Sequence, residues 1–219
     1  MLKWRKMKNN LFFISNNGFR YIFYAFLASI VFSLLDLDTL AFVSFIVIFM
    51  IAYAFRNPER EVTIFDEGNA VSPVDGKIVA IEELHESEYA YKVIVQSNYL
   101  DIGILRAPYN SSISGVSKKN GARLSLKSAL SRDVNAHVEV VFSYGEFNQI
   151  KVKHVLTQSF APLHINIFQN QSIRQSTRYG FMLNGFTEIY IPKNFRLNVH
   201  NGKKVTASES LLGFFIAIP

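Results

Sequence analysis

The chain has 219 residues, enough for one domain of ordinary size and an appendage. It contains no cysteine, which excludes disulfides, thiolate catalysis and cysteine-based zinc sites. The net charge of +6 is uneven, with seven basic and three acidic residues in 1–60 against 16 and 14 in 61–219, so the basic end borders apolar runs and suits an anionic membrane surface, not a nucleic acid.

Lys3, Arg5, Lys6, Lys8 and Arg20 make residues 1–20 a basic N-terminal segment. Two charge-free apolar stretches follow, residues 21–35 (YIFYAFLASIVFSLL) and 40–55 (LAFVSFIVIFMIAYAF). Each is somewhat shorter than the ~20 residues that usually span a bilayer core. Asp36-Leu37-Asp38-Thr39 joins them, and Asp38 or Thr39 is suited to cap the second helix. Basic residues lie outside both stretches, so the positive-inside tendency places both ends in the cytoplasm and the acidic turn outside. A secretory signal is the first rival, but no small-residue cleavage site follows the first stretch. A buried hairpin in a soluble core is the second, and helices apolar on every face beside a basic flank argue against it. Residues 21–55 therefore read as a membrane helical hairpin.

From residue 56 to 219 the pattern predicts one β-rich sandwich or barrel domain, giving an α+β chain overall. Short branched and aromatic runs, several alternating with period two, occur at 77–81 (KIVAI), 91–95 (YKVIV), 137–142 (HVEVVF), 149–153 (QIKVK), 164–168 (HINIF) and 187–191 (TEIYI). Ser143-Tyr144-Gly145-Glu146 reads as part of a hairpin connection. Asn120-Gly121, Asn184-Gly185 and Asn201-Gly202 are turn signals, and residues 124–130 are the one helical candidate. The acidic stretch Glu82-Glu83-Leu84-His85-Glu86-Ser87-Glu88 has no second ligand cluster and reads as a solvated loop, not a metal site. The apolar residues 211–219 read as a core strand, with contact to lipid as the alternative.

Four segments in order resemble the shorter bacterial phosphatidylserine decarboxylases. These are Arg56-Asn57-Pro58-Glu59-Arg60 after the second helix; Val71-Ser72-Pro73-Val74-Asp75-Gly76-Lys77-Ile78; Tyr179-Gly180-Phe181-Met182-Leu183-Asn184-Gly185 running on to Tyr190-Ile191-Pro192; and Val199-His200-Asn201-Gly202-Lys203-Lys204-Val205 with Glu209 beyond it. The resemblance implies a chain that cleaves itself at a Gly-Ser bond, with a His and an Asp assisting the serine hydroxyl. The serine then becomes a pyruvoyl group that serves as electron sink when phosphatidylserine loses carbon dioxide.

On that resemblance Asp75 matches the family's acid, although an Asp-Gly soon after a proline is also an ordinary turn. The family's histidine position falls on Gly103, because Arg106-Ala107-Pro108 aligns with the end of the same segment. The serine position falls on Phe186 when Gly185 is the anchor, or on Gly185 when Tyr190-Ile191-Pro192 is. Neither residue carries a nucleophile. None of the 11 glycines precedes Ser or Thr, so no displaced Gly-Ser bond exists. Thr187 attacking the Phe186 carbonyl would give a ketobutyryl group instead, after a shift along the chain. His137 and His164, in other predicted strands, are the histidines considered as a replacement base, and Ser176-Thr177 reads as a turn.

The expectation is a membrane protein of phospholipid metabolism that lacks self-processing and acts as a lipid-binding or regulatory homologue. No cofactor is expected, because pyruvoyl cannot form at Phe186 or Gly185. The expected partners are membrane phospholipids, anionic aminophospholipids foremost, and a homo-oligomer or a complex with an active homologue. The expected place is the bacterial inner membrane with the domain in the cytoplasm. The alternative is an active decarboxylase converting phosphatidylserine to phosphatidylethanolamine by an atypical site.

Overall fold

A computed structural model describes residues 13–60, 68–85, 87–125, 128, 130–145 and 148–216. The chain divides between Glu59 and Arg60 into two compact units.

The first unit is a pair of helices, α1 (Asn16–Leu34) and α2 (Asp38–Ala54). α1 is long and apolar enough to cross a membrane, and α2, at 17 residues, is shorter. The turn between them closes through the Leu37 N–H, which donates to Phe32 O at 2.9 Å, with Asp36 in the left-handed region at φ +56°. Asp38 is the first residue of α2 and not its cap. Leu37 holds the cap position and makes no side-chain cap bond, while the Asp38 carboxylate sits in the first turn, where the helix dipole favours it. At the open end, Gly18 lies under Phe55, and a Cβ at 18 would stand 2.6 Å from the Phe55 Cβ. The Tyr21 and Phe55 rings stack at 5.4 Å, and the Ser15 N–H donates to Phe55 O at 2.8 Å. Apolar side chains face outward on both helices: Phe23, Phe42 and Met50 are each more than half exposed.

The second unit is β-rich. Its strands are β1 (Asn69–Val71), β2 (Gly76–Glu83), β3 (Tyr89–Ser97), β4 (Ile104–Arg106) and β5 (Ser111–Lys119); after a single helical turn, α3 (Ser131–Val134), come β6 (His137–Tyr144), β7 (Asn148–Leu156), β8 (His164–Ile165), β9 (Ser172–Ile173), β10 (Arg178–Phe181), β11 (Gly185–Pro192), β12 (Phe195–Leu197), β13 (Lys204–Val205) and β14 (Leu211–Phe215). Eight of them form one antiparallel sheet in the order β13-β2-β3-β11-β7-β6-β5-β9, beside two three-stranded sheets, β1-β14-β12 and β4-β10-β8. β11 is a central strand paired along its length with β3 and β7, and all its residues but Tyr190 are buried. That explains its nearly continuous run of large residues, since both of its faces are covered. Ile78, Val93, Val95, Val152 and Ile189 are fully buried in the same sheet.

Five of the six expected strand runs fall within strands, and the sixth, 164–168, forms strand only at His164–Ile165. The described residues of 124–130 are not helical. The helical turn lies just beyond, at Ser131–Val134, and 126, 127 and 129 fall outside the described residues. Only one of the three Asn-Gly pairs is a left-handed turn, at Gly202 with φ +86°. Gly121 and Gly185 are instead places where another backbone comes close: a Cβ would meet Val134 O at 121, or Val155 O at 185, at 2.2 Å. The connection after Tyr144 turns at Gly145, with φ +68°, and Glu146 lies outside the described residues. In the acidic stretch Glu82 and Glu83 belong to β2, Glu82 pairs with Lys92 at 2.6 Å, and Glu86 lies outside the described residues. Among the described residues no group of three His, Asp or Glu side chains could hold a metal.

Candidate functional site

Asp75 ends the turn between β1 and β2, a turn tied by the Ser72 hydroxyl donating to Val74 O at 2.7 Å. Both carboxylate oxygens of Asp75 are engaged. Oδ2 accepts from Arg60 at 2.6 Å and Oδ1 from the Ala207 N–H at 2.8 Å. Arg60 also reaches Glu209 at 3.4 Å. The acid therefore joins three of the segments read from the sequence, those holding Arg60, Asp75 and Glu209. Its main-chain oxygen accepts from the buried Ser97 hydroxyl, and Ser97 is the Cα partner of Gly185 across the β3–β11 ladder.

Gly103 precedes β4, and its carbonyl accepts the Met182 N–H at 2.7 Å. A Cβ at 103 would stand 2.8 Å from Met182 O and 2.9 Å from the Phe181 ring. At Gly185 a Cβ would stand 2.2 Å from Val155 O and 3.0 Å from Met182 Sδ. Met182 thus touches both positions. Ser97 links Asp75 to Gly185, and Met182 links Gly185 to Gly103. Phe186 is buried among Ile94 and Val155 with Ala80 against them, and strand alternation turns it to the opposite face from Gly185.

On the Gly185 face, two residues along β11, lies an arrangement that the sequence reading did not find. Thr187 and His154 are directly opposed on β11 and β7. His154 Nδ1 lies 2.8 Å from Thr187 Oγ1, and its Nε2 lies 2.6 Å from the Tyr179 hydroxyl. Thr187, His154 and Tyr179 are all fully buried. Burial pushes the His154 pKa down to about 3 and the Tyr179 hydroxyl upward, so the imidazole is neutral. A neutral ring donates at one nitrogen and accepts at the other, and each hydroxyl can serve either way. The sequence signal was the period-two alternation, which continues past the predicted run through Ile150, Val152 and His154.

The histidines that were considered lie elsewhere. His137 is on β6, opposite Val155, with Nδ1 2.9 Å from Asn135 O. His164 is exposed and pairs with Phe181 across β8–β10. Ser176 sits in a turn at φ +65°, as expected, with its N–H bonded to Ala107 O.

Residues 48–213 match the sequence profile of the family described as phosphatidylserine decarboxylase. The chain belongs to the phosphatidylserine decarboxylase family. It is similar to the phosphatidylserine decarboxylase proenzyme of Desulfotalea psychrophila, 25% identical over 208 residues, covering 93% of this chain and 97% of the relative. The proenzyme of Syntrophus aciditrophicus is 30% identical over 176 residues, 74% of this chain and 78% of the relative. That of Burkholderia mallei strain SAVP1 is 27% identical over 172 residues, 76% and 78%. No solved structure matches. At position 185 the Val155 carbonyl lies 2.2 Å from where a Cβ would stand, and position 186 faces the opposite side of the strand.

Proposed function

We propose that this protein is a membrane-inserted member of the family that remains a single polypeptide and works by binding phospholipid, without a pyruvoyl group and without decarboxylation. The observation that carries this reading is the closure of position 185. A serine there would need the β7 and β11 backbones to separate, and Gly103, the matched base position, is closed by Met182 and Phe181. Gly185 is taken as the serine equivalent because it shares neighbours with Asp75 and Gly103, whereas Phe186 does not. The outward apolar side chains of α1 and α2 and the basic residues flanking them support insertion in the inner membrane with the β-rich unit in the cytoplasm. Assembly with a second copy or with an active homologue is consistent with a role in regulation.

Intact-mass spectrometry of the full chain purified from membranes tests the proposal. One species at the full 25.0 kDa is expected, and a split next to residue 185 with a carbonyl-blocked new terminus overturns it.

The Thr187–His154 hydrogen bond favours a second reading, self-cleavage between Phe186 and Thr187. In that reaction Thr187 Oγ attacks the Phe186 carbonyl carbon, its proton passes by way of His154 to the departing amine, and the C–N bond breaks as the ester forms. Loss of the Thr187 Cα proton then expels the Phe186 carboxylate, which separates the fragments, and water releases ammonia from the resulting enamine to leave a ketobutyryl group on residue 187. The first reading is preferred because Thr187 is sealed from solvent and its strand is laddered on both sides, which opposes the backbone rotation the attack needs. The same mass measurement separates the two, since fragments 1–186 and 187–219 would appear only under the second.

A further inference from the structure

A second feature of the β-rich unit lies outside these linked positions. The end of β5 and the start of β6 form one wall of a cleft of about 260 Å³, with Lys118 opposite Val138 and Lys119 opposite His137. The corner Asn120-Gly121 closes one end. It packs so tightly on α3 that a Cβ at 121 would meet Val134 O at 2.2 Å. Arg123 supplies a third cation and is held in place by Ser159 O at 2.6 Å and Phe160 O at 3.3 Å. Lys118, Lys119, Arg123 and His137 all line one space, and among the described residues no Asp or Glu lines it, although Lys119 Nζ also donates to Asp133 O at 3.5 Å. The floor is apolar, built from the buried Leu156 and Leu163. Leu156 is also the Cα partner of Gly185, so the cleft backs onto the position that has lost its serine.

The surface around Arg123 is apolar. Phe160, whose carbonyl contacts Arg123, stacks its exposed ring on exposed Tyr99 at 6.1 Å and 7°. Leu100 beside Tyr99 and Leu124 beside Arg123 are also exposed. A pocket of cations with an apolar floor and an apolar rim is complementary to an anion carried on an acyl chain. A soluble anion needs no such rim, and an uncharged lipid needs no such cations. Lysines bind phosphate as point charges, and arginine as a fork of donors. The volume is below the range of about 300–1,000 Å³ typical of pockets for drug-sized ligands, and so suits a headgroup and not a whole lipid.

We infer that the Lys118–Lys119–Arg123–His137 cleft is a binding site for the headgroup of an anionic membrane glycerophospholipid, with the Tyr99–Phe160 rim against its acyl chains. This inference rests on the phospholipid-binding reading and gives it a location. The cleft uses none of the residues at the matched catalytic positions, so it operates without self-processing.

The test is native mass spectrometry of the full chain in an uncharged detergent, titrated with phosphatidylserine and with phosphatidylcholine. Wild-type protein and the double variants Lys118→Gln/Lys119→Gln and Lys118→Arg/Lys119→Arg are compared. Both lysines are exposed and make no ion pair among the described residues, so the variants are expected to melt as the wild type does. The expected result is preference for phosphatidylserine in the wild type, affinity reduced roughly tenfold or more in the Gln pair, and affinity retained in the Arg pair. Undiminished binding by the Gln pair overturns this site while leaving phospholipid binding itself standing. Equal loss in the Arg pair overturns the role given to charge. No phospholipid bound by the wild type overturns both this inference and the reading beneath it. Calorimetry with sn-glycerol 3-phosphate distinguishes the sources of phosphate: binding as tight as that of the lipid would make this a site for free phosphate esters and overturn the assignment to lipid.

Discussion

Asp75, the residue matched to the family's acid, has both carboxylate oxygens engaged in structural bonds. Its carboxylate is shared between Arg60 and the Ala207 N–H, with side-chain exposures of 7% for Arg60 and 13% for Asp75. Asp75→Asn should cost about 3 kcal/mol, because it leaves the Arg60 guanidinium with only the more exposed Glu209 as carboxylate partner among the described residues. Thermal melting of the full chain in detergent checks this, and an unchanged midpoint would contradict the structural role. His154 makes a separate prediction through pH. Its pKa in the folded protein is about 3 against about 6.5 when unfolded, so between those values the unfolded chain binds the proton and the folded chain does not. Stability from this group is present above pH 6.5 and is lost as pH falls toward 3, at up to about 1.4 kcal/mol per pH unit. Comparing pH-dependent melting of the wild type with His154→Gln isolates that slope, which the variant should lack. Asp75 was legible in the sequence because its motif is local. His154 was not, because the partners that give it meaning, Thr187 and Tyr179, are 33 and 25 residues away.

β11 shows how a glycine can be fixed by its neighbours. Its first residue, Gly185, is held in the β3–β11–β7 ladder with Val155 O where a side chain would begin. Gly185→Ser should therefore destabilise the protein by about 1–3 kcal/mol and should not restore cleavage, since Gly103 supplies no base. Melting and intact mass report the two effects independently. Efficient cleavage in that variant would contradict the closure of position 185 and the need for a base at position 103. The strand runs were readable from alternation, which is a property of neighbouring residues. The turn signals were less informative, because Asn-Gly also occurs where a backbone approaches closely, and close approach is set by a different strand. The long strand at Ser111–Lys119 escaped notice for a related reason: its Ser-rich, Gly-interrupted sequence offers little apolar contrast, and its place is set by pairing with β6.

The absence of cysteine offers a direct test of the proposed membrane insertion and orientation. Leu37→Cys, in the turn between the helices, should react with a membrane-impermeant maleimide in intact cells whose outer membrane has been permeabilised. Tyr144→Cys, exposed in the β-rich unit, should react only after lysis. The opposite pattern would reverse the orientation proposed from the basic flanks. Family membership, the two N-terminal helices, five of the strands and the residues standing at the matched serine and histidine positions were legible in one sequence, because motifs, hydrophobic periodicity and residue identity are carried by nearby positions. Three things were decided only by tertiary structure. Asp75 is linked to Gly185 through Ser97, and Gly185 to Gly103 through Met182; Met182 and the Val155 carbonyl occupy the space that side chains at 103 and 185 would need; and three cations from β5 and the segment after it line an apolar floor. Each depends on strand pairing between distant segments, and local residue patterns do not specify which strands will be neighbours.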